Sequence, residues 1–378
     1  MKRDAHEIAG GPRTRKIRYA VIGLGHIAQN AILPCFTHAH ENSELTALVS
    51  DDPQKLHAMR KEYSVNHTCG YEDYDALLRS GEIDAVYVAL PNNLHRDYSV
   101  RAAKAGIHVL CEKPLAPTED DCRKIIQACA SAGVKLMTAY RLHFEKGNLE
   151  AIESVRSGEI GDPRIFNSIF TQQVASGNIR VNDGYANGTL YDVGVYCVNA
   201  ARYMFRGEPI EASCFLAAGD DPRFARVEEM ASAILRFPDE RLASFTVSFG
   251  AASIASFEVV GTRGRIRVSQ AYDYSEPVIV EVTKDGKTRS KTFGLRDQFA
   301  PEVLYFSNCI LKDTEPEPSG MEGLADVKVI RALYQSAKQR KAVRLSGTAR
   351  RKRPTAKQEI HRPAVAKPRL IKVQAPSR

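Results

Sequence analysis

The run Tyr19-Ala20-Val21-Ile22-Gly23-Leu24-Gly25-His26-Ile27-Ala28 constrains this chain more than any other feature of its 378 residues: an apolar stretch, then Gly-x-Gly-x-x-Ala, then a helix-forming segment. A strand that turns at once into a helix leaves the first backbone N–H groups of that helix unpaired. Those donors, together with the helix dipole, make a seat for a pyrophosphate. Gly23 permits the turn, Gly25 leaves the phosphates unobstructed, and Ala28 is small enough for the helix to lie against the strand. His26 and Ile27 fall on the turn itself. Glycines at this spacing also occur in ordinary tight turns, so the sequence downstream has to decide.

Downstream, strands and helices alternate. Leu45–Val49 reads as a second strand and ends in Ser50-Asp51-Asp52-Pro53-Gln54-Lys55. An acid about 20 positions past the glycines suits the ribose hydroxyls of NAD, whereas a hydroxyl with a nearby cation suits the extra phosphate of NADP. Ser50 with Lys55 favours NADP; Asp51 acting one position late would favour NAD. A further strand, Ala85–Leu90, opens into Pro91-Asn92-Asn93-Leu94-His95. Another, His108–Cys111, ends at Glu112-Lys113-Pro114, and Lys135–Ala139 ends at Tyr140-Arg141. Ligands of open parallel sheets collect at the carboxyl ends of strands, which is where these polar clusters stand.

Beyond residue 145 the pattern changes to longer alternating or β-branched strands: 164–170, 230–237, 242–248, 257–261 and 277–282. They predict one large, mostly antiparallel sheet, with Gly261-Thr262-Arg263-Gly264 as a hairpin turn. A late helix over 321–339 is expected to pack back on the first domain. The expected organisation is a flexible basic arm (1–16), an α/β Rossmann dinucleotide-binding domain (17–140), an α+β substrate and oligomerisation domain (141–346) and a disordered basic tail (347–378).

Taken together, Gly23-Leu24-Gly25-His26-Ile27-Ala28, Pro91-Asn92 with His95, Glu112-Lys113-Pro114, Tyr140-Arg141 and Gly188-Thr189-Leu190-Tyr191-Asp192-Val193-Gly194-Val195-Tyr196 resemble the Gfo/Idh/MocA oxidoreductases, named for glucose-fructose oxidoreductase and inositol dehydrogenase. The resemblance spans about residues 17 to 346. It is similar most of all to the glucose-fructose oxidoreductase branch, because Tyr196 stands where many members carry histidine and because the second strand ends Leu48-Val49-Ser50. It implies hydride transfer between a nicotinamide cofactor and a sugar or polyol, above all oxidation of C1 of an aldose. An inositol, anhydro-sugar or dihydrodiol dehydrogenase, or a non-catalytic NADP-sensing regulator, is the alternative. It also implies that Leu90, Pro91, Asn92 and His95 line the cofactor, that Glu112 and Arg141 line the nicotinamide and substrate side, that Tyr71 lies on the adenosine side, and that Arg180 approaches the cofactor. Exported relatives in the sugar branch carry a leader before the fold; the charged start of this chain leads us to expect none, and a cytoplasmic enzyme. An open sheet face implies a homodimer or homotetramer.

The catalytic expectation joins Lys113 to Asp192 and Tyr196. Asp192 and Tyr196 are four apart in a helix-like segment and so share a face. A base must take the hydroxyl proton as hydride leaves carbon, and a tyrosine beside an ammonium can do so because the cation stabilises the resulting phenolate. Asp192 would orient the lysine or the substrate. A purely structural Lys113–Asp192 pair beside an inert tyrosine is the competing expectation.

Charge needs to be located to be read. Residues 348–378 carry +9 and residues 1–18 carry +4, so the +8 overall leaves −5 for the remainder. The folded part is not basic, and nucleic acid is not an expected partner beyond weak contacts by the tail. No stretch approaches the ~20 apolar residues of a membrane span. Eight cysteines without a Cys-x-x-Cys pair suggest buried thiols rather than a metal site.

Overall fold

The computed structural model describes residues 15–182, 187–346 and 353–375. The first sheet comprises β1 (Ile17–Ile22), β2 (Ser43–Val49), β3 (His67–Cys69), β4 (Ala85–Val88), β5 (His108–Glu112) and β6 (Leu136–Ala139). Its order is β3-β2-β1-β4-β5-β6, with every pairing parallel. All residues of β4 and β6 are buried, and so are most of β1, β2 and β5, because helices cover both faces. Those helices include α1 (Leu33–Cys35, continuing a π-helical turn over Ala28–Ile32), α2 (Pro53–Tyr63), α3 (Tyr74–Arg79), α4 (His95–Lys104) and α5 (Glu119–Ala132). The strand order reverses between β1 and β4, and the crevice at that switch point is where such sheets bind dinucleotides.

After α6 (Lys146–Arg156) comes the second sheet: β7 (Pro163–Thr171), β8 (Glu211–Ala217), β9 (Met230–Phe237), β10 (Arg241–Ser248), β11 (Ile254–Gly261), β12 (Gly264–Ser269), β13 (Val278–Lys284), β14 (Lys287–Phe293) and β15 (Val343–Arg344). The order is β14-β13-β12-β11-β7-β10-β9-β8-β15; only β7 and β10 pair in parallel. One face is core. Along β9, Ala231, Ala233, Leu235 and Phe237 point inward, where they join Val195, Val198 and Ala201 of α7 (Val195–Met204). Each large side chain withdrawn from water in this way contributes about 1.5–3 kcal/mol. The other face exposes Ile165, Ile169, Ile234 and Leu242, a neighbouring apolar set on β7, β9 and β10.

Two later helices close the molecule. α9 (Gly320–Gln339) lies against elements of the first sheet: a Cβ on Gly320 would lie 2.4 Å from Leu136, and one on Gly323 2.6 Å from Leu115. α8 (Ala300–Leu311) was not anticipated, and it belongs to the core of the first sheet. Its Val303, Leu304 and Phe306 cluster with Ile17, Tyr19 and Val21, and the Ser307 hydroxyl lies 2.7 Å from those of Tyr19 and Ser43.

The tail departs from expectation. Residues 353–375 lie against the folded body instead of forming free chain. Arg353 meets Glu208 at 2.8 Å with both side chains nearly buried, Arg362 meets Glu41 at 2.6 Å, and Ile360 and Ile371 pack on the core of the first domain. Basic residues scattered among prolines have little apolar surface of their own, but the body supplies acids for them to pair with. Of the expected N-terminal arm, residues 1–14 lie outside the described residues, as do 347–352 and 376–378 of the tail.

Candidate active site

The glycine turn has the geometry a pyrophosphate needs. Gly23 adopts φ +94°, and a Cβ there would sit 2.7 Å from the carbonyl oxygen of Ala89, so only glycine fits. At Gly25 a Cβ would meet nothing within 4 Å, which is the open side on which phosphates could lie. His26 and Ile27 are half-buried beside it. Burial, with Arg180 as a smaller contributor, lowers the His26 imidazole below its usual range and keeps it neutral. At the adenosine end, Ser50 is buried at the tip of β2 and accepts the N–H of Asp52 at 3.2 Å. Asp52 caps α2 by accepting from the backbone N–H groups of Gln54 and Lys55. Tyr71, half-buried, meets the edge of Tyr98 at 5.6 Å, and Lys55 is half-buried one turn into α2. Leu90, Pro91 and Asn92 follow β4 at the same rim, with Leu90 nearly buried and the other two half-exposed.

His95 is placed differently from expectation. Its ring is wholly buried, with one nitrogen 2.8 Å from the Leu90 carbonyl and the other 2.9 Å from the Pro114 carbonyl. No nitrogen remains for a cofactor; the ring ties the end of β4 to the segment that carries Lys113. Glu112 is similarly engaged, accepting from the Tyr87 hydroxyl at 2.9 Å and from the Lys113 backbone at 3.2 Å. Burial raises its carboxyl, against the pull of Lys113.

At the other end of the groove the structure brings Lys113, Asp192 and Tyr196 together. Lys113 Nζ donates to Asp192 Oδ1 at 3.2 Å and to the Asp192 carbonyl oxygen at 3.0 Å. It also lies 4.8 Å from the centre of the Tyr196 ring. Asp192 stands in a π-helical turn, Leu190–Gly194, that runs directly into α7, and Tyr196 is the second residue of that helix. Arg180 donates to Asp192 Oδ2 at 2.5 Å, so it stands with Lys113 and Asp192 at this end of the groove. Burial alone would raise the Asp192 carboxyl, but Arg180 and Lys113 outweigh it and hold it at about 2. Burial alone would lower the Lys113 ammonium; its interactions with Tyr196, Asp192 and Glu112 reverse that and leave it above its ordinary value.

Arg141 forms the floor. Its guanidinium is 5.2 Å from the Tyr196 ring and 5.1 Å from that of Tyr274, and its N–H groups donate to Gln298 and to the Tyr272 carbonyl. Held by these contacts, the Arg141 guanidinium stacks beneath the Tyr196 ring. Phe170 and Tyr272 complete the packing at 5.6 and 5.9 Å. Tyr272, Tyr274 and Gln298 were missed from sequence. They sit in loops flanking β12–β14, and Ala271-Tyr272-Asp273-Tyr274 was the one local hint, an aromatic pair just past a strand.

A glycine-turned dinucleotide groove that ends on a paired ammonium, carboxylate and phenol defines a nicotinamide-dependent oxidoreductase acting on CH–OH groups. Comparison with known proteins agrees. Residues 17–140 match the family model described as oxidoreductase family, NAD-binding Rossmann fold, and residues 148–267 match the GFO/IDH/MocA C-terminal domain. A D-xylose 1-dehydrogenase (NADP+) from Haloarcula marismortui is 30% identical over 87% of this chain and 93% of its own length. The crystal structure of an aldose-aldose oxidoreductase from Caulobacter crescentus, complexed with glycerol, superposes with a TM-score of 0.83 at 35% identity, covering 88% of this chain and all of that one. A 3-ketoreductase from Actinomadura kijaniata in complex with NADP gives 0.78 at 26%, covering 85% and 98%. The chain belongs to the GFO/IDH/MocA family. Among the described residues no helix is long and apolar enough to cross a membrane, and no cluster of histidine, cysteine and acidic residues could hold a metal ion.

Proposed function

We propose that this enzyme uses NADP to oxidise C1 of an aldose to the lactone. The observation that carries the proposal is the placement of one buried ammonium, Lys113, against both Asp192 and the ring of Tyr196. The residues that would hold the cofactor are Gly23, Gly25, His26 and Ile27 at the pyrophosphate, Ser50 and Lys55 at the 2′-phosphate, Tyr71 at the adenosine, and Leu90, Pro91 and Asn92 towards the nicotinamide. The bound nicotinamide accepts the hydride that leaves C1. Tyr196 takes the C1 hydroxyl proton, and Lys113 with Arg141 stabilises the phenolate during that transfer. Asp192, kept ionised by Arg180 and Lys113, fixes the ammonium where that charge develops. The named relatives support the assignment: two act on aldoses, and one is described as dependent on NADP.

A second sugar as hydride acceptor is favoured by the likeness to an aldose-aldose oxidoreductase at 35% identity. Purified protein incubated with NADP and a panel of pentoses and hexoses, followed by nicotinamide absorbance, tests the main reading; lactone formation from at least one aldose is expected, and no reduction of NADP by any of them overturns it. The apolar outer face of the second sheet supports a homo-oligomer. Ile234→Asp is expected to yield a smaller species by sedimentation. The eight cysteines, all free thiols, fit a reducing compartment such as the cytoplasm.

A further inference from the structure

The last described residues of the chain cross the dinucleotide groove. Ile371 is held through both backbone groups by the wholly buried side-chain amide of Gln29: its N–H donates to Gln29 Oε1 at 2.8 Å, and its carbonyl accepts from Gln29 Nε2 at 3.0 Å. The same Nε2 donates to the Leu24 carbonyl, inside the glycine turn, at 2.9 Å. One residue on, Lys372 Nζ lies 3.3 Å from Asp52 Oδ2, beside Ser50. Three residues further, the Ala375 carbonyl accepts from Asn178 Nδ2 at 3.4 Å, and Asn178 Oδ1 accepts the N–H of Arg180, the partner of Asp192. Within a span of five residues, Ile371, Lys372 and Ala375 therefore reach the helix after the glycine turn, the end of the second strand and the second-domain loop that carries Arg180.

We infer that residues 371–375 are a strap that retains the dinucleotide, and that Lys372 adds a second cation, beside Lys55, for the 2′-phosphate of NADP. The charges at the ribose end support this. Asp52 would repel a 2′-phosphate, yet its carboxylate is directed to the cap of α2 and is covered by the Lys372 ammonium. Ser50 stands beside this pair at the tip of β2, and the Lys372 ammonium, half-exposed, remains within reach of a phosphate there. The side-chain amide of Gln29 donates to and accepts from one backbone unit, as a neighbouring strand would, so it pins the strap in a single register. Because the strap is tied to both domains, a bound dinucleotide can leave only after the Gln29 or Asn178 contacts break. Upstream, Gln358 to the Glu317 carbonyl at 2.8 Å and Glu359 to Lys146 at 2.9 Å anchor the arm away from the groove, so its end can open without the rest detaching.

This inference rests on the NADP assignment and not on the identity of the sugar. The test therefore reads cofactor binding directly and stands whether or not any aldose is turned over. NADPH and NADH fluorescence titrations and stopped-flow release would be measured for the full chain, for a chain ending at Arg369, and for Lys372→Ala. Truncation is expected to speed release of both cofactors at least tenfold. Lys372→Ala should weaken NADPH about tenfold, leave NADH within twofold, and flatten the salt dependence of NADPH binding. The point variant keeps the test sharp if the shortened chain folds poorly. Release rates within twofold of the full chain after truncation overturn the strap, and an unchanged NADPH-to-NADH ratio in Lys372→Ala overturns the role of the lysine.

Discussion

The two ends of the groove are built in different ways. At the nicotinamide end, charges from both domains are buried against one another: Lys113 and Asp192 have side chains only 14% and 18% exposed, and Arg180 and Arg141 close the remaining sides. At the end proposed for the adenosine, Ser50 is buried but Lys55 and Tyr71 are half-buried and Lys372 is exposed. The proposed hydride chemistry needs fixed electrostatics, and the buried end is where reorganisation is small. On the proposed reading, cofactor retention needs affinity that can be made and released, which the mostly exposed segment 371–375 would supply. Binding and chemistry should accordingly be separable by mutation.

The largest effects should fall at the buried end. Lys113→Ala and Tyr196→Phe are each expected to lower kcat by about 10²–10⁴-fold, with the Kd for NADPH changing less than about threefold. Steady-state kinetics beside fluorescence titration checks this, and parallel losses in both would merge the two ends into one unit. Next, Asp192→Asn should destabilise the protein by about 2–3 kcal/mol at pH 7, because it leaves Lys113 and Arg180 without their anion. The sign with pH follows from the depressed carboxyl. Its contribution is full above the ordinary aspartate range and is lost as pH falls towards about 2. The wild-type advantage in urea unfolding should therefore shrink between about pH 4 and pH 2. The smallest expected change is at the open end: Ser50→Asp with Lys55→Ala should shift cofactor preference towards NAD by about tenfold, since a carboxylate repels the 2′-phosphate. An unchanged preference, measured as the ratio of kcat/KM values, would transfer that choice to Lys372.

What could be read from sequence followed the same division. The parallel strands were visible because burial on both faces demands continuous apolar runs, and the polar residues at their tips marked the rim where Lys113 and Glu112 stand. β9 and β10 showed through strict alternation. β14, with Lys287, Arg289 and Lys291, was not visible because an exposed edge strand carries charge instead of pattern. For His95, Glu112 and Arg141 the sequence shows where a polar group stands but not which neighbours engage its donors and acceptors. Here carbonyls of Leu90 and Pro114, the Tyr87 hydroxyl and Gln298 do so. The docking of the tail could not be read at all: its partners, Gln29, Glu41, Asp52 and Glu208, are distant in sequence and carry no local signal.

Helix α8 gives the first domain a dependence on the order of synthesis. The apolar side of β1 and β2 that Val303, Leu304 and Phe306 cover leaves the ribosome long before those residues do. At about 5–20 residues per second, the roughly 170 residues between β6 and the end of α8 take on the order of ten to thirty seconds to emerge. Over that interval Tyr19 lacks its Ser307 partner, and the part of that face under α8 lacks the cover of Val303, Leu304 and Phe306. A fragment ending near residue 140 would keep the whole glycine turn and still be an aggregation-prone half-core. The dinucleotide domain is contiguous as a motif and discontinuous as a folding unit.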